Sequence, residues 1–302
     1  MVDPHSDDNT SVESPAQIAK RYGLAAMGVR PPFRQYLTEL WARREFLYVL
    51  ADAKAKANNQ NTYLGYLWAI LNPLLNSLVY VLIFGILLGT REGMDNVVAF
   101  IVVGTFMYGF FSSALTSSAR SIKSNIRLVQ SLHFPRAVLP LASVLTELIT
   151  ILPAVLVMFA ISQISIWKVQ GLEALNPQYW LLIIPAVLLM AVFSTGLGLV
   201  MARIASRIPD LLNFLPFVIR IGMYASGVIF AIDHQLSEGT LATIMEYQPI
   251  AIYLNLARQA FTSEANIPFN ASYWVIGLGW AVVMLIIGFI VFWRDEARYG
   301  RD

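Results

Sequence analysis

Residues 179–201 read Tyr-Trp-Leu-Leu-Ile-Ile-Pro-Ala-Val-Leu-Leu-Met-Ala-Val-Phe-Ser-Thr-Gly-Leu-Gly-Leu-Val-Met, without one charged side chain. A helix needs about 20 apolar residues to cross a hydrocarbon layer roughly 30 Å thick. This stretch is long enough, and its leading Tyr179 and Trp180 suit the membrane–water boundary. Working outward, residues 66–88, 97–116, 137–161, 211–231 and 273–293 repeat the pattern. The composition agrees: 57% hydrophobic, 13% charged, mean hydropathy +0.60. A soluble domain carries about twice that charge fraction. The reading is an all-α integral membrane protein with six transmembrane helices.

Ahead of the first span, Phe33, Tyr36, Leu37, Leu40, Trp41, Leu47 and Leu50 recur at three- and four-residue spacing, with Arg34, Glu39, Arg43 and Glu45 opposite. That stripe predicts an N-terminal amphipathic helix too charged to cross a bilayer, lying in the interface with Trp41 at headgroup depth. An amphipathic helix packed on a soluble domain is the alternative, but no soluble domain follows. Residues 1–32, with Asp3, Asp7, Asp8 and four prolines, lack the apolar core of a signal peptide and are expected to be a disordered cytoplasmic tail. The chain thus divides into a tail (1–32), an interfacial helix and connector (33–62) and a transmembrane domain (63–302).

Basic residues orient the spans. Lys20, Arg21, Arg30, Arg34, Arg43, Arg44, Lys54, Lys56, Arg120, Lys123, Arg127, Arg136, Arg203, Arg207, Arg294, Arg298 and Arg301 fall on one side. Only Arg91, Lys168 and Arg258 fall on the other. By the positive-inside rule both termini are cytoplasmic, in a multi-pass protein of the cytoplasmic membrane. Outside, residues 232–272 hold two short amphipathic pieces broken at Pro249. They predict re-entrant half-helices buried against protein, where irregular backbone is tolerated.

Catalytic chemistry is not visible. There is no cysteine, no G-x-x-x-x-G-K-[ST] phosphate loop, and His5, His133 and His234 are scattered without metal-ligand spacing. No nucleotide or metal site is therefore expected on this chain. Two charges sit inside spans, Glu147 and Arg220, at nearly equal expected depth. Intramembrane charges mark functional sites by default; the two either pair or face a watery path separately. Gly85/Gly89, Gly198/Ala202 and Gly222/Ser226 are small-residue pairs that let membrane helices approach closely. Tyr80, Phe84, Phe106, Tyr108, Phe214, Phe217 and Tyr224 either fill the core or line a sugar path.

The order of elements resembles a known family. Tyr63-Leu64-Gly65-Tyr66-Leu67-Trp68 with Pro73 is similar to the L-G-x-x-W-x-x-x-x-P start of the first span of ABC-2-type polysaccharide permeases. Asn125 to Leu128, then Phe134-Pro135-Arg136, resembles that family's coupling segment. Pro209-Asp210-Leu211 matches its Arg-Asp-Leu in part, with Pro209 at the arginine position. Gln248-Pro249 and Arg258 resemble its paired external gate helices. The resemblance covers about residues 33–300. It implies a homodimer with two copies of a separate ATP-binding cassette subunit, which holds the ATP and Mg, exporting a glycan on a polyprenyl-pyrophosphate carrier; no nucleic acid is involved. It also implies coupling through Ser121, Asn125, Arg127, Leu128, Phe134, Pro135 and Arg136. Pro135 is expected to end a short helix, with Arg127 and Arg136 facing the partner's acidic surface. Path candidates are Tyr66, Trp68, Tyr80, Phe84, Phe106, Tyr108, Phe217 and Tyr224, and Pro249 and Arg258 belong to the external gate. The acidic tail and tryptophan-rich span ends resemble the actinobacterial galactan exporters. Alternatives are an ABC-2 permease for a drug or lipid, and an ion-coupled secondary transporter, which would need inverted repeats and midplane carboxylate pairs.

Overall fold

The computed structural model describes Arg21 and residues 31–57, 63–87, 89, 94–132, 134–232, 240–262, 264–265, 267–296 and 298–299. His5, Arg91, His133, His234, the connector 58–62 and nearly all of the 1–32 segment lie outside the described residues. Among the described residues the regular structure is helical, with no strand. In chain order the helices are α1 (Phe33–Ala42), α2 (Arg44–Ala57), α3 (Trp68–Tyr80), α4 (Val97–Ser124), α5 (Ile126–Ser131), α6 (Val138–Gln170), α7 (Ile183–Arg207), α8 (Leu211–Ala225), α9 (Thr240–Tyr247), α10 (Pro249–Phe261) and α11 (Ala271–Arg294). A π-helical stretch, Val81–Leu87, extends α3.

Among the described residues, five segments are long and apolar enough to cross a membrane: Trp68–Leu87, Val97–Ser124, Val138–Gln170, Leu172–Arg207 and Ala271–Arg294. The span expected over 211–231 is shorter than the sequence suggests. α8 stops at Ala225 after 15 residues, about 22 Å at 1.5 Å per residue. The chain then turns through Gly227, whose φ of 65° lies in the left-handed region open to glycine. α6 errs the other way: its 33 residues make roughly 50 Å of helix, well beyond a hydrocarbon layer of about 30 Å.

Lipid gives apolar helices no hydrophobic reason to associate, so close packing must hold them. α4 is the central post, with Phe100, Ile101, Val103, Phe106, Met107 and Phe111 buried, packed against α6, α7 and α10. α7 and α11 approach until their backbones touch. A Cβ built on Gly196 would sit on the Met284 carbonyl and 2.5 Å from Leu285 N, and one built on Gly288 would strike the Gly196 carbonyl. Of the small-residue pairs in the sequence, Gly198 seats on Ser118 and Gly222 under the Tyr108 hydroxyl, whereas a Cβ on Gly89 meets nothing within 4 Å.

The stripe ahead of the first span forms two helices, not one, because the chain bends at Arg43 (φ −94°, ψ 14°). α1 turns Tyr36 and Leu40 inward and leaves Trp41 71% exposed. α2 lays Ala51 and Ala55 on α6, where the Thr146 hydroxyl donates to the Ala51 carbonyl at 3.2 Å. The two short amphipathic pieces do break at Pro249: Gln248 is extended (φ −64°, ψ 150°) and the proline takes the first turn of α10. α10 is buried almost throughout, from Ala251 to Phe261.

Candidate functional site

The helices run up and down, so each end of the bundle gathers residues distant in sequence. At the end where Lys123, Arg136, Arg203, Arg207 and Arg298 collect (the basic end), the two acids that follow α11 form a junction. Glu296, 3% exposed, accepts from the Tyr36 hydroxyl at 2.9 Å and from the Arg136 backbone N–H at 2.8 Å. The Arg136 guanidinium lies 3.5 Å from the same carboxylate. Tyr36 in turn accepts the Ala137 N–H at 3.2 Å. Asp295 takes Arg203 Nε at 2.7 Å and Arg207 Nη2 at 2.5 Å. One acidic pair thereby ties α1, the start of α6, the end of α7 and the end of α11.

The expected coupling residues divide around this junction. Asn125 breaks the helix between α4 and α5, its amide donating to the Ser121 carbonyl at 2.6 Å. Arg127 on α5 is exposed and Leu128 packs inward. Ser121, 1% exposed, and Phe134, 7% exposed and edge-on to Phe46 at 5.5 Å, are interior residues. The Arg136 guanidinium lies against Glu296 of the same chain. The short helix also ends earlier than expected: α5 closes at Ser131 because Leu132 is extended (φ −122°, ψ 144°), and Pro135 opens the turn into α6.

Within the bundle, Glu147 and Arg220 form no ion pair. The Ser117 hydroxyl donates to Glu147 at 2.8 Å, while Arg220 is exposed on α8, within electrostatic reach of the Tyr80 hydroxyl. Equal depth did not give equal facing. The aromatic candidates separate too. Phe106 and Tyr108 are buried core, the Tyr108 hydroxyl donating to the Ile219 carbonyl. Tyr80 reaches the Met223 sulfur at 3.4 Å and lies beside Phe84. Phe217 and Tyr224 stay exposed on α8 at 59% and 46%. Trp68 and Phe106 line a cavity of about 370 Å³ between α3, α4 and α6, which also holds Glu147. Tyr66 lies in the helical turn Gly65–Leu67 just before Trp68.

At the opposite end, Arg258 is 2% exposed. Its guanidinium lies 3.4 Å from the centre of the Phe100 ring and donates from Nη2 to the Gly227 and Val228 carbonyls at 2.8 and 3.3 Å. Nearby, Glu264 accepts the Asp95 and Asn96 N–H groups at 2.6 and 3.1 Å, and Asp95 accepts from Ala265 N–H. A carboxylate is well placed there, at the positive end of α4. Burial pushes the Glu264 carboxyl above its usual range, against the pull of the two donors.

The sequence pattern of the ABC-2 type transporter family matches residues 45–262, from α2 through α10. The chain belongs to the ABC-2 type transporter family. Its curated relatives include the O-antigen export system permease protein RfbA of Klebsiella pneumoniae, 24% identical over 259 residues, covering 85% of this chain and 94% of the relative. RfbA of Myxococcus xanthus is 28% identical over 234 residues (76% and 85%). The capsule polysaccharide export inner-membrane protein CtrC of Neisseria meningitidis serogroup B is 31% identical over 154 residues (51% and 54%).

Sequence reasoning about this ABC-2 chain missed Asp295 and Glu296. The available signal was two adjacent acids directly after the last span, on the side that the basic residues crowd. The two carboxyls respond to burial differently. In Glu296 burial prevails and raises its pKa, against the Arg136 N–H and the Tyr36 hydroxyl. In Asp295 burial also pushes upward, but Arg203 and Arg207 outweigh it and the net shift is downward. The signs therefore oppose. A carboxyl raised on folding gains stability as pH falls through its folded value; one depressed on folding keeps its stability above the unfolded value and loses it as pH falls through the folded one. Acidification from neutrality should first favour the fold through Glu296 and then, below the ordinary carboxylate range, undo it through Asp295. Glu296→Gln should abolish the first limb of the stability–pH curve in detergent, and Asp295→Asn the second. At pH 7 Asp295→Asn should cost about 1.5–3 kcal/mol, the value of a charge-assisted hydrogen bond.

Proposed function

We propose that this chain is the permease half of an ATP-driven exporter that moves a lipid-linked polysaccharide across the cytoplasmic membrane, with a galactan as its cargo. It works as a homodimer with two copies of a separate ATP-binding cassette subunit, which holds ATP and Mg. In this reading the basic end is cytoplasmic, together with both termini. α1 and α2 lie at the interface, and α8 with the turn after it makes the sixth crossing. Relatives named for O-antigen and capsule polysaccharide export support the cargo class. The observation that carries the reading is the mounting of α5: a short helix with Arg127 exposed, next to a junction that binds α1, α6, α7 and α11 into one unit. A push delivered to α5 by a neighbouring subunit would reach those helices together.

The test is co-expression with and without a P-loop ATPase partner. ATP hydrolysis and glycan export should require both proteins, and hydrolysis by the pure permease would refute the division of labour. Arg127→Glu should lower export about tenfold or more, the effect of losing one charge-assisted contact, with the permease still folded. Arg136→Glu should instead lower the amount of folded protein, because it sets a second carboxylate against buried Glu296. Equal damage to folding from both substitutions, read by size-exclusion profile, would remove α5 from the coupling role.

A further inference from the structure

The cavity between α3, α4 and α6 has a lining that membrane lipid cannot satisfy. Its volume is about 370 Å³, within the range of small-ligand sites. Trp68, Asn72 and Asn76 face it from α3, Thr105 from α4, and Glu147 and Thr150 from α6. All three helices belong to the membrane-length set, so the two amides and the carboxylate need water or a polar guest.

The carboxylate is left incomplete. Glu147 takes Ser117 on one oxygen, and among the described residues no donor reaches the other. A carboxylate at membrane depth without a counter-charge or a full set of donors calls for an explanation. The Thr105 hydroxyl, in a residue only 6% exposed, also has no partner among the described residues, but its oxygen is sealed from the cavity and offers a guest nothing.

The donor set narrows the guest. A divalent cation would want several oxygens and no indole; an acyl chain would want no amides. A carboxylate and amides beside an aromatic face suit a ring with hydroxyls on its edge and C–H bonds on its plane. The uncompensated carboxylate would repel an acidic sugar. We propose that this cavity is a binding subsite for one neutral sugar unit of the passing glycan, held through Glu147 and the Asn72 and Asn76 amides and stacked on Trp68. The proposal rests on the transport reading above and specifies its substrate.

The test uses the complete exporter, permease with ATPase partner, in lipid nanodiscs. A fluorescent hydrophobic carbodiimide modifies Glu147 while short galactose, glucose and mannose oligosaccharides, or a sialic acid oligomer, are added as probes. At least one neutral oligosaccharide should slow modification of Glu147 about tenfold, the effect of one charge-assisted hydrogen bond, and leave Glu264 unaffected. The acidic oligomer should not protect, and Asn76→Leu should need a higher concentration of the protecting sugar. Modification unchanged by every sugar, equal protection by the acidic oligomer, or a Glu147 that the reagent never reaches because a second copy covers it would each overturn the subsite. In cells, Glu147→Gln should slow glycan export while Gly279→Ala, where an added Cβ meets nothing within 4 Å, should not. A wild-type complex that exports no glycan yet shows sugar protection would remove the transport reading and leave the subsite standing.

Discussion

Gly196→Val is expected to abolish recovery of folded permease. The Cβ alone has no room, because it meets the Met284 carbonyl and lies 2.5 Å from Leu285 N. These are backbone atoms of a long helix, and no rotamer change relieves the contact. Overpacking a core costs about 1–3 kcal/mol when side chains can shift, and more when they cannot. Here α11 would have to move bodily, disturbing the Asp295–Glu296 junction at its end, so the cost should exceed about 3 kcal/mol, a large part of a typical folding free energy of 5–15 kcal/mol. Gly279→Val on α11 is the control, since a Cβ there meets nothing within 4 Å. Size-exclusion profiles in detergent should show folded Gly279→Val protein and little or none for Gly196→Val, and matching profiles would refute the tight crossing.

Arg258→Leu should be nearly as damaging. The leucine fills space but leaves the Gly227 and Val228 carbonyls without their donor and takes the charge off the Phe100 ring. Two stripped buried carbonyls at about 1–3 kcal/mol each, with a desolvated cation–π contact of about 2 kcal/mol, place the loss at several kcal/mol. Arg258→Lys should recover only part of it, because an ammonium lacks the planar fork. Gly104→Ala tests the same contact from the other side: alanine favours a helix by about 1 kcal/mol, yet its methyl would lie 2.8 Å from the Val228 carbonyl and 2.9 Å from the guanidinium. A stabilised Gly104→Ala protein would show that the arginine clamp is loose.

The long apolar runs were legible because crossing a membrane is a demand on length and polarity alone. Residues 179–201 and 273–293 announce themselves for that reason, and Pro249 marks a break because proline suits the first turn of a helix and not its middle. What stayed hidden depends on which way a residue faces. Position along a helix placed Glu147 and Arg220 at one height, but Glu147 turns toward Ser117 of α4 and Arg220 toward the surface near Tyr80. Arg127 and Arg136 looked alike in a basic segment; only the fold, which brings Glu296 back across 160 residues, tells the exposed cation from the committed one. The end of α8 was hidden for a related reason, since the guanidinium that holds the turn at Gly227 comes from α10.

That clamp is one of three fastenings on α10. Gln163 of α6 donates to the Phe261 carbonyl at 2.9 Å, Arg258 grips the turn beyond α8, and Glu264, just past the helix, closes the start of α4. Such a helix is the frame of a doorway and not its leaf. Swinging it aside would bare a buried guanidinium and strip α4 of the acid at its head. Under the dimer proposed above, any widening at that end wide enough for a polymer would come from whole subunits drawing apart, with α10 carried along as a fixed part of the wall.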